Sequence, residues 1–386
     1  MTNSELYPPS RALLGSVESL CGASAPYNIT PATETNFLNG MKEIIRWHQE
    51  KSVFYRQFLK DSNFDINHWA GELSEIPGIP AEFFKYHAVK SISDDGVHIS
   101  LTSSGTSGQK SQMFFDQWSL GSAQRMIDFI FDYYRWISSE KANYLLYSYQ
   151  TEAGSRLGTS YTDNFLTKYS PPNQVEYALK LNGKAGHDFD VFGCIRALQD
   201  FEAQGLPVRI FGFPSFFYFT LQRMKDLKYK PLKLSPTSLV FLGGGWKGYA
   251  NQEIKKQDLY SLAEDMLGIP NAQLRDGFGS VEHCIPYIEC ANHHFHVPVY
   301  SKVLIRDLKT LESLGYDKPG FIQFISPYIT SAPAHSVIMG DLALLHKGSD
   351  CGCGLDNDWF EILGRAGVSK NKSCAIAAAE LLKDFV

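Results

Sequence analysis

Short apolar runs rich in β-branched or aromatic residues alternate with helical patterns along most of this chain. The strand-like runs cover residues 208–211, 238–242, 321–325 and 337–345. Apolar residues at helical spacing lie between them, for example over residues 197–203 and 253–266. Strands that alternate with helices over this length are typical of a substantial sheet covered by helices. The sequence therefore predicts an α/β fold.

The N-terminal third has its own pattern. Apolar residues at helical spacing, after polar Thr and Asn residues, predict one helix over residues 33–60. Residues 97–101 alternate like a strand, and 113–115 are expected to form the strand that returns. A further helix is predicted over residues 120–137.

Composition excludes several classes of protein. Of 386 residues, 44% are hydrophobic and 20% are charged, which is typical of a folded globular chain. The net charge of −5 gives no electrostatic reason to bind nucleic acid or an anionic membrane. No run approaches the 18 or so apolar residues of a spanning helix, and the polar N-terminus does not resemble a secretory signal. We expect a cytoplasmic protein whose seven cysteines are reduced.

One segment between the two N-terminal strands is suited to binding an oxyanion. It consists of Thr102, Ser103, Ser104, Gly105, Thr106, Ser107, Gly108, Gln109 and Lys110. Its glycines permit unusual backbone angles, its hydroxyl groups can donate hydrogen bonds, and its lysine supplies a cation. Only two residues separate the glycines, so it is not a Walker A loop. A flexible Ser/Gly hairpin tip is the alternative interpretation.

This segment resembles the phosphate loop of the adenylate-forming enzymes, which activate carboxylic acids with ATP. Within that superfamily the chain is most similar to the acyl-protein synthetases that help make aldehyde for bacterial luciferase. Four further segments match in order, at residues 243–249, 275–282, 296–298 and 372–376. The resemblance implies the large α/β domain of adenylate-forming enzymes and the use of ATP with Mg²⁺.

The resemblance also implies roles for single residues. Small residues at Gly243, Gly244 and Gly245 would let adenine lie against the backbone, and the next motif comprises Asp276, Gly277, Phe278, Gly279 and Ser280. In that motif Phe278 takes the aromatic place and Ser280 replaces a threonine, while Glu282 would help to hold Mg²⁺. Asp341 would accept hydrogen bonds from the ribose, and Arg365 would contact ribose or phosphate oxygens. Without the resemblance, these residues would be interpreted as turns and solvated charges.

The C-terminus departs from the wider superfamily. Only 21 residues follow Arg365, too few for the separate lid domain of those enzymes, so we predict an α/β domain over 1–364 and a short tail over 365–386. The resemblance implies that Cys374 in this tail carries the acyl group as a thioester. Lys372 would favour the thiolate or contact phosphate during adenylation. The alternative is that Cys374 is a small apolar residue on a terminal helix.

Cysteine and histidine residues form a second group. Cys290, His296, Cys351 and Cys353 supply the soft and imidazole ligands that a tetrahedral zinc requires, with His294 as the alternative nitrogen. A Cys-x-Cys-Gly segment near this place also occurs in related aryl-CoA ligases. The spacing is not that of a standard zinc finger, so reduced cysteines beside a histidine-rich loop are the alternative interpretation.

Together these features predict an enzyme that joins a carboxylic acid, expected to be a fatty acid, to AMP and then passes it to a thiol. By analogy with the family, an acyl reductase partner would then receive the acyl group. Transfer to coenzyme A or a carrier protein is the alternative, and a non-catalytic nucleotide- or zinc-binding module is a third. The aromatic run over residues 211–219 could line an acyl pocket, but we favour a core role. A homo-oligomer is compatible with the sequence.

Overall fold

Two β-sheets organise the protein in the computed structural model, which describes residues 6–102, 111–150, 167–183, 186–246 and 248–366. In chain order the helices are α1 (Gly15–Cys21), α2 (Pro31–Lys51), α3 (Val53–Asp61), α4 (Phe83–Tyr86), α5 (Gln117–Tyr133), α6 (Val191–Gln204), α7 (Pro214–Asp226) and α8 (Lys256–Leu267). The strands are β1 (Ile79–Pro80), β2 (Ile99–Thr102), β3 (Gln112–Phe115), β4 (Ala142–Tyr149), β5 (Pro172–Leu181), β6 (His187–Phe189), β7 (Val208–Gly212), β8 (Leu239–Gly243), β9 (Leu274–Phe278), β10 (Tyr287–Ile288), β11 (Phe295–His296), β12 (Lys302–Arg306), β13 (Gly320–Ile325), β14 (Ser336–His346) and β15 (Trp359–Arg365).

The larger sheet has seven strands in the order β10-β9-β8-β7-β4-β5-β6. Its five inner strands, from β9 to β5, are parallel, and the two edge strands run antiparallel to their neighbours. Helices α6, α7 and α8 pack on it through buried residues such as Phe201, Phe217 and Leu259. Parallel strands end at a common edge, and ligands bind outside their carboxyl ends in folds of this kind. That edge is therefore where a site is expected.

The smaller sheet is mainly antiparallel, in the order β11-β15-β14-β13-β12, with β1 added parallel to β14. The N-terminal helices share its core, since Phe37, Met41 and Ile44 of α2 belong to the same buried cluster as Ile322 and Phe324 of β13. Strands β2 and β3 form a separate hairpin, in which Thr102 pairs with Gln112. None of the helices in the described ranges is both long and apolar enough to cross a membrane.

The structure confirms the predicted α/β architecture. The strands expected near 97–101, 113–115, 208–211, 238–242, 321–325 and 337–345 are β2, β3, β7, β8, β13 and β14, and the predicted helices near 120–137, 197–203 and 253–266 are α5, α6 and α8. The aromatic run over 211–219 ends β7 and begins α7 at Pro214, with Phe216 and Phe217 buried. Most of the run, up to Phe217, therefore belongs to the core, as favoured above.

The single helix predicted over residues 33–60 is wrong. It is two helices, because Ser52 leaves the helical conformation and its hydroxyl group accepts a hydrogen bond from the backbone N–H of Tyr55. A side chain that caps a new helix competes with continuation of the old one. In addition, the boundary drawn after Gly364 falls inside β15, which ends at Arg365.

Candidate active site and Cys/His cluster

The segment that begins at Gly243 and the motif that begins at Asp276 lie side by side at the carboxyl ends of two parallel strands. Gly243, at the end of β8, is the register partner of Gly277 on β9. A side chain at Gly243 would come within 3.2 Å of the Gly277 carbonyl oxygen, so the two backbones approach closely. Gly244 and Gly245 then turn the chain with φ angles of 80° and 69°, which other residues rarely adopt. The structure thus brings together two segments that the sequence analysis treated separately.

The chain continues from β9 towards the smaller sheet. The ring of Phe278 packs against Phe324 and Phe360 of that sheet, with ring centroids 5.8 Å apart in both pairs. The Ser280 hydroxyl group lies 3.8 Å from the Met339 sulfur on β14. Gly279 lies in this connection and is exposed.

Three charged residues of the predicted site converge where β14 meets β15. Asp341 is the register partner of Arg365, and the backbone N–H of Ala366 donates to the Gly340 carbonyl. Burial raises the pKa of Asp341, and the negative charge of Glu282 raises it further, although the Arg365 guanidinium opposes both. Glu282 itself is only 5% exposed. Within the described part of the chain no cation forms an ion pair with it.

Part of the predicted site cannot be placed. Thr102 ends β2, but the rest of the phosphate loop (Ser103, Ser104, Gly105, Thr106, Ser107, Gly108 and Lys110) lies outside the described residues. Lys372 and Cys374 also lie outside them. Strand β2, which precedes the phosphate loop in the sequence, pairs antiparallel with β3, which follows it.

Four residues predicted as metal ligands form one compact cluster. The ligand atoms of Cys290, His296, Cys351 and Cys353 all lie within 4.8 Å of one another. The sulfur atoms of Cys290 and Cys351 are 3.5 Å apart, and the Cys353 sulfur is 3.3 Å from His296 Nε2. A tetrahedral zinc with Zn–S bonds near 2.3 Å needs sulfur atoms about 3.8 Å apart. The donor set and its spacing fit a zinc ion.

The surroundings of this cluster orient its ligands. The His296 ring donates from Nδ1 to the Asn357 carbonyl at 2.7 Å, which leaves the Nε2 lone pair directed at the cluster. The backbone N–H of Asn292 donates to the Cys290 sulfur at 3.3 Å. His294, the alternative nitrogen, lies 3.1 Å from the Cys351 sulfur and stacks on Trp359, but it is not one of the four.

A buried charge network, which the sequence analysis missed, lies between the two sites. The Glu289 carboxylate has no exposed surface and contacts Lys256 Nζ at 2.5 Å, the Tyr260 hydroxyl at 2.8 Å and His293 Nδ1 at 3.3 Å. Burial disfavours its charge, but the hydrogen bond from His293 and the charge of Lys256 hold its pKa below the usual value. Lys256 also contacts the Asp276 carboxylate at 3.1 Å. Burial raises the pKa of Asp276 to about 6. A glutamate inside the apolar run 285–290 was the available sign that a buried carboxylate is paired here.

Comparison with known proteins assigns the chain to a family. A sequence profile described as "Acyl-protein synthetase, LuxE" matches residues 16–383. The chain belongs to the acyl-protein synthetase family. Two similar curated proteins are long-chain-fatty-acid–luciferin-component ligases. The one from Aliivibrio fischeri is 24% identical over 355 residues (89% of this chain and 88% of the relative), and the one from Vibrio harveyi is 22% identical over 346 residues (88% and 86%).

Solved structures agree on the fold. An open conformation of 2-hydroxyisobutyryl-CoA ligase, with its acyl-adenylate and CoA, matches with a TM-score of 0.63 at 12% identity, over 91% of this chain and 79% of the ligase. The same enzyme in its thioesterification state matches with a TM-score of 0.61 at 13% identity, over 92% and 71%. This acyl-protein synthetase family member therefore has the fold of adenylate-forming enzymes. It is an acid–thiol ligase.

Proposed function

We propose that this protein activates a long-chain fatty acid with ATP at the ends of β8 and β9, and then carries the acyl group on Cys374. The observation that supports this most strongly is that Asp341 lies beside Arg365 and Glu282. Gly277, five residues before Glu282, is the register partner of Gly243. Curated relatives that cover most of the chain are named as fatty-acid ligases, which supports the choice of acid.

Different residues around the site would bind different parts of ATP. The glycine turn at Gly244 leaves room for adenine, and the Asp341 carboxylate would accept hydrogen bonds from the ribose hydroxyl groups. The hydroxyl-rich loop that begins at Thr102 would bind the phosphates. Glu282, a buried carboxylate that forms no ion pair within the described residues, would hold Mg²⁺. When bound, the ion neutralises phosphate charge as it develops.

The proposed reaction has two steps. The fatty-acid carboxylate attacks the α-phosphorus of ATP, forming an acyl–phosphate bond while pyrophosphate leaves. The Cys374 thiolate next attacks the acyl carbon, so that a thioester forms, the acyl–phosphate bond breaks and AMP leaves. Lys372 would favour the thiolate or contact phosphate. A reductase partner would finally take the acyl group from Cys374. Cytoplasmic location, self-association and the lack of nucleic-acid and membrane binding remain predictions of the sequence.

The decisive experiment is intact-mass spectrometry after incubation with ATP, Mg²⁺ and fatty acids of different length. We expect a hydroxylamine-sensitive acyl adduct on the wild type and none on Cys374→Ala. ATP–pyrophosphate exchange should persist in Cys374→Ala, because adenylation precedes the thiol step. If Cys374→Ala still forms the adduct, or if AMP is released only after coenzyme A is added, the assignment of Cys374 is wrong.

We also propose that Cys290, His296, Cys351 and Cys353 bind a structural zinc ion. Three thiol groups and an imidazole with its second nitrogen already hydrogen-bonded form a closed donor set, with no position left for a substrate. The cluster joins the turn after β10 to the segment between β14 and β15. A metal there would therefore link segments about 60 residues apart in the chain.

Metal analysis of protein purified without a histidine tag should find about one zinc per chain. Cys353→Ser should lose most of the zinc and unfold at a lower temperature, since structural zinc contributes directly to folding. Cys194→Ala is the matched control, because Cys194 is buried in the larger sheet's core and away from the cluster. Zinc-free wild-type protein, or Cys353→Ser with full zinc content, would contradict the assignment.

A further inference from the structure

Glu289 binds both backbone hydrogen-bonding groups of Asp276, the first residue of the adenylation motif. The backbone N–H of Glu289 donates to the Asp276 carbonyl at 3.1 Å. In return, the backbone N–H of Asp276 donates to the Glu289 carboxylate at 2.8 Å. One residue that directly follows β10 therefore helps to hold β9 in place at the motif.

The Glu289 side chain is itself held firmly. Its carboxylate accepts hydrogen bonds from Asp276, Lys256, Tyr260 and His293, and none of its surface is exposed. Lys256 adds a second link, because its ammonium group also contacts the Asp276 carboxylate. A carboxylate with this many charge-assisted bonds moves only together with its neighbours.

The same residue is bonded to the Cys/His cluster through the chain. Cys290 follows Glu289 directly and begins a tight turn, in which its N–H donates to the His294 carbonyl at 2.9 Å and its carbonyl accepts from His293 at 3.0 Å. The His293 side chain closes the turn onto Glu289. The turn that would hold the metal and the strand that would hold the adenylate thus share one carboxylate.

We propose that Glu289 is a positioning residue that couples the Cys/His cluster to the adenylation motif, so that zinc at the cluster strengthens nucleotide binding. This inference rests on the proposed function, since it needs both zinc and ATP to bind where we place them. A zinc ion held by the cluster would fix the turn at Cys290, and this turn would fix Glu289. Glu289 in turn holds Asp276 and the strand that ends at Phe278. Such coupling is reciprocal, so bound ATP must also strengthen the binding of zinc.

The test measures zinc release from the full-length protein into a chelator, with and without ATP and in the absence of fatty acid. In the wild type we expect ATP to slow release about tenfold, within the range of typical coupling between sites. In Glu289→Gln the effect should fall below about twofold, because an amide cannot accept from all four donors. Glu264→Gln on the exposed face of α8 is the matched control and should behave as the wild type.

A second readout is the KM for ATP in pyrophosphate exchange, measured on zinc-loaded and zinc-stripped samples. Stripping should raise the KM in the wild type several-fold with a smaller change in kcat, whereas in Glu289→Gln the KM should be high in both samples. Should Glu289→Gln fail to fold, Tyr260→Phe removes one donor, at 2.8 Å, and should lose part of the coupling.

The outcomes separate the inference from the function on which it rests. If the wild type binds zinc and performs exchange, but ATP leaves zinc release unchanged, the coupling is overturned and the proposed function stands. If the protein holds no zinc or performs no exchange, the proposed function fails and the coupling fails with it. Equal coupling in Glu289→Gln and the wild type would show that another residue connects the two sites.

Discussion

His48 and His335 are stacked and fully buried where the N-terminal helices meet the smaller sheet. Their ring centroids are 5.2 Å apart. His48 bonds the Ser91 hydroxyl group at 2.7 Å, and His335 bonds the Tyr55 hydroxyl group at 2.7 Å. Burial lowers the pKa of both residues, that of His335 to about 3, and the charge that His335 would carry lowers the pKa of His48 further. Both rings are therefore neutral in the folded protein.

This predicts a loss of stability in mild acid. The unfolded chain takes up a proton at each histidine near pH 6.5, whereas the folded chain does so only at much lower pH. Below pH 6.5 the unfolded state therefore binds more protons. The free energy of unfolding falls as the pH drops from 6.5 towards 3, by about 1.4 kcal/mol per pH unit for His335, and His48 adds a contribution of the same sign.

Thermal unfolding between pH 7.5 and 5 would measure this effect. We expect His335→Gln to flatten the pH dependence, with His98→Gln at an exposed position as the control. An unchanged pH dependence in His335→Gln would contradict the assignment of the effect to the stacked pair.

The Cys/His cluster could be predicted from residue types alone, because a group of three thiols and an imidazole is typical of a metal site. The network at Glu289 could not be predicted in the same way. Its donors come from α8, β9 and the turn after Cys290, and nothing in the sequence shows that these three places meet. A buried charge can be suspected from an apolar run, but its partners depend on the fold.

At the scale of elements, the close approach of β7 to its parallel neighbour β4 depends on one glycine. Gly212 has a φ of 121°, and a Cβ atom there would lie 2.4 Å from the Tyr147 carbonyl oxygen. We expect Gly212→Ala to lower the free energy of unfolding by about 2–5 kcal/mol, through backbone strain and a clash with backbone that cannot retreat.

The control for this prediction is Gly205→Ala. Gly205 ends α6 with a φ of 69°, but the space around it is open, so only backbone strain of about 1 kcal/mol is expected. Urea denaturation of both variants compares them directly. Equal losses would mean that the approach of β7 to β4 is not tight.

Elements with strong local patterns were predicted from the sequence, and the failures also have physical causes. Ser52 divides a continuous apolar pattern into α2 and α3 by capping the second helix, an effect of one hydroxyl group that periodicity does not detect. Strand β4 was not predicted, although it lies between β7 and β5. Its continuous apolar run is typical of a strand buried on both faces and has no alternation to reveal it.

At the scale of the whole molecule, the N-terminal helices belong with the smaller sheet, which is formed mainly by the last third of the described chain. The Trp47 indole N–H donates to the Thr330 carbonyl at 2.9 Å, between residues 283 positions apart. Such pairings are set by long-range contacts, which local patterns do not encode. The sequence therefore predicted the α/β class but not the division into two sheets with separate cores.

This long-range bond can be tested by Trp47→Phe. A smaller aromatic ring remains, but the buried Thr330 carbonyl loses a donor, so we expect the free energy of unfolding to fall by about 1–3 kcal/mol. Trp69→Phe is the control, because its indole N–H donates to Glu72 only three residues away, where water can replace it. Chemical denaturation of both variants would measure the free energy of unfolding. A larger loss of this free energy in Trp69→Phe than in Trp47→Phe would contradict the prediction.

The smaller sheet that covers α2 is translated long after α2 itself, and this delay has a consequence during synthesis. At 5–20 residues per second, a ribosome needs about 15–60 s to extend the chain from Trp47 to Thr330. Throughout that time Phe37, Met41 and Ile44 have no sheet to cover them. The yield of active protein in a cell therefore depends on what shields the first hundred residues while the rest are still being translated.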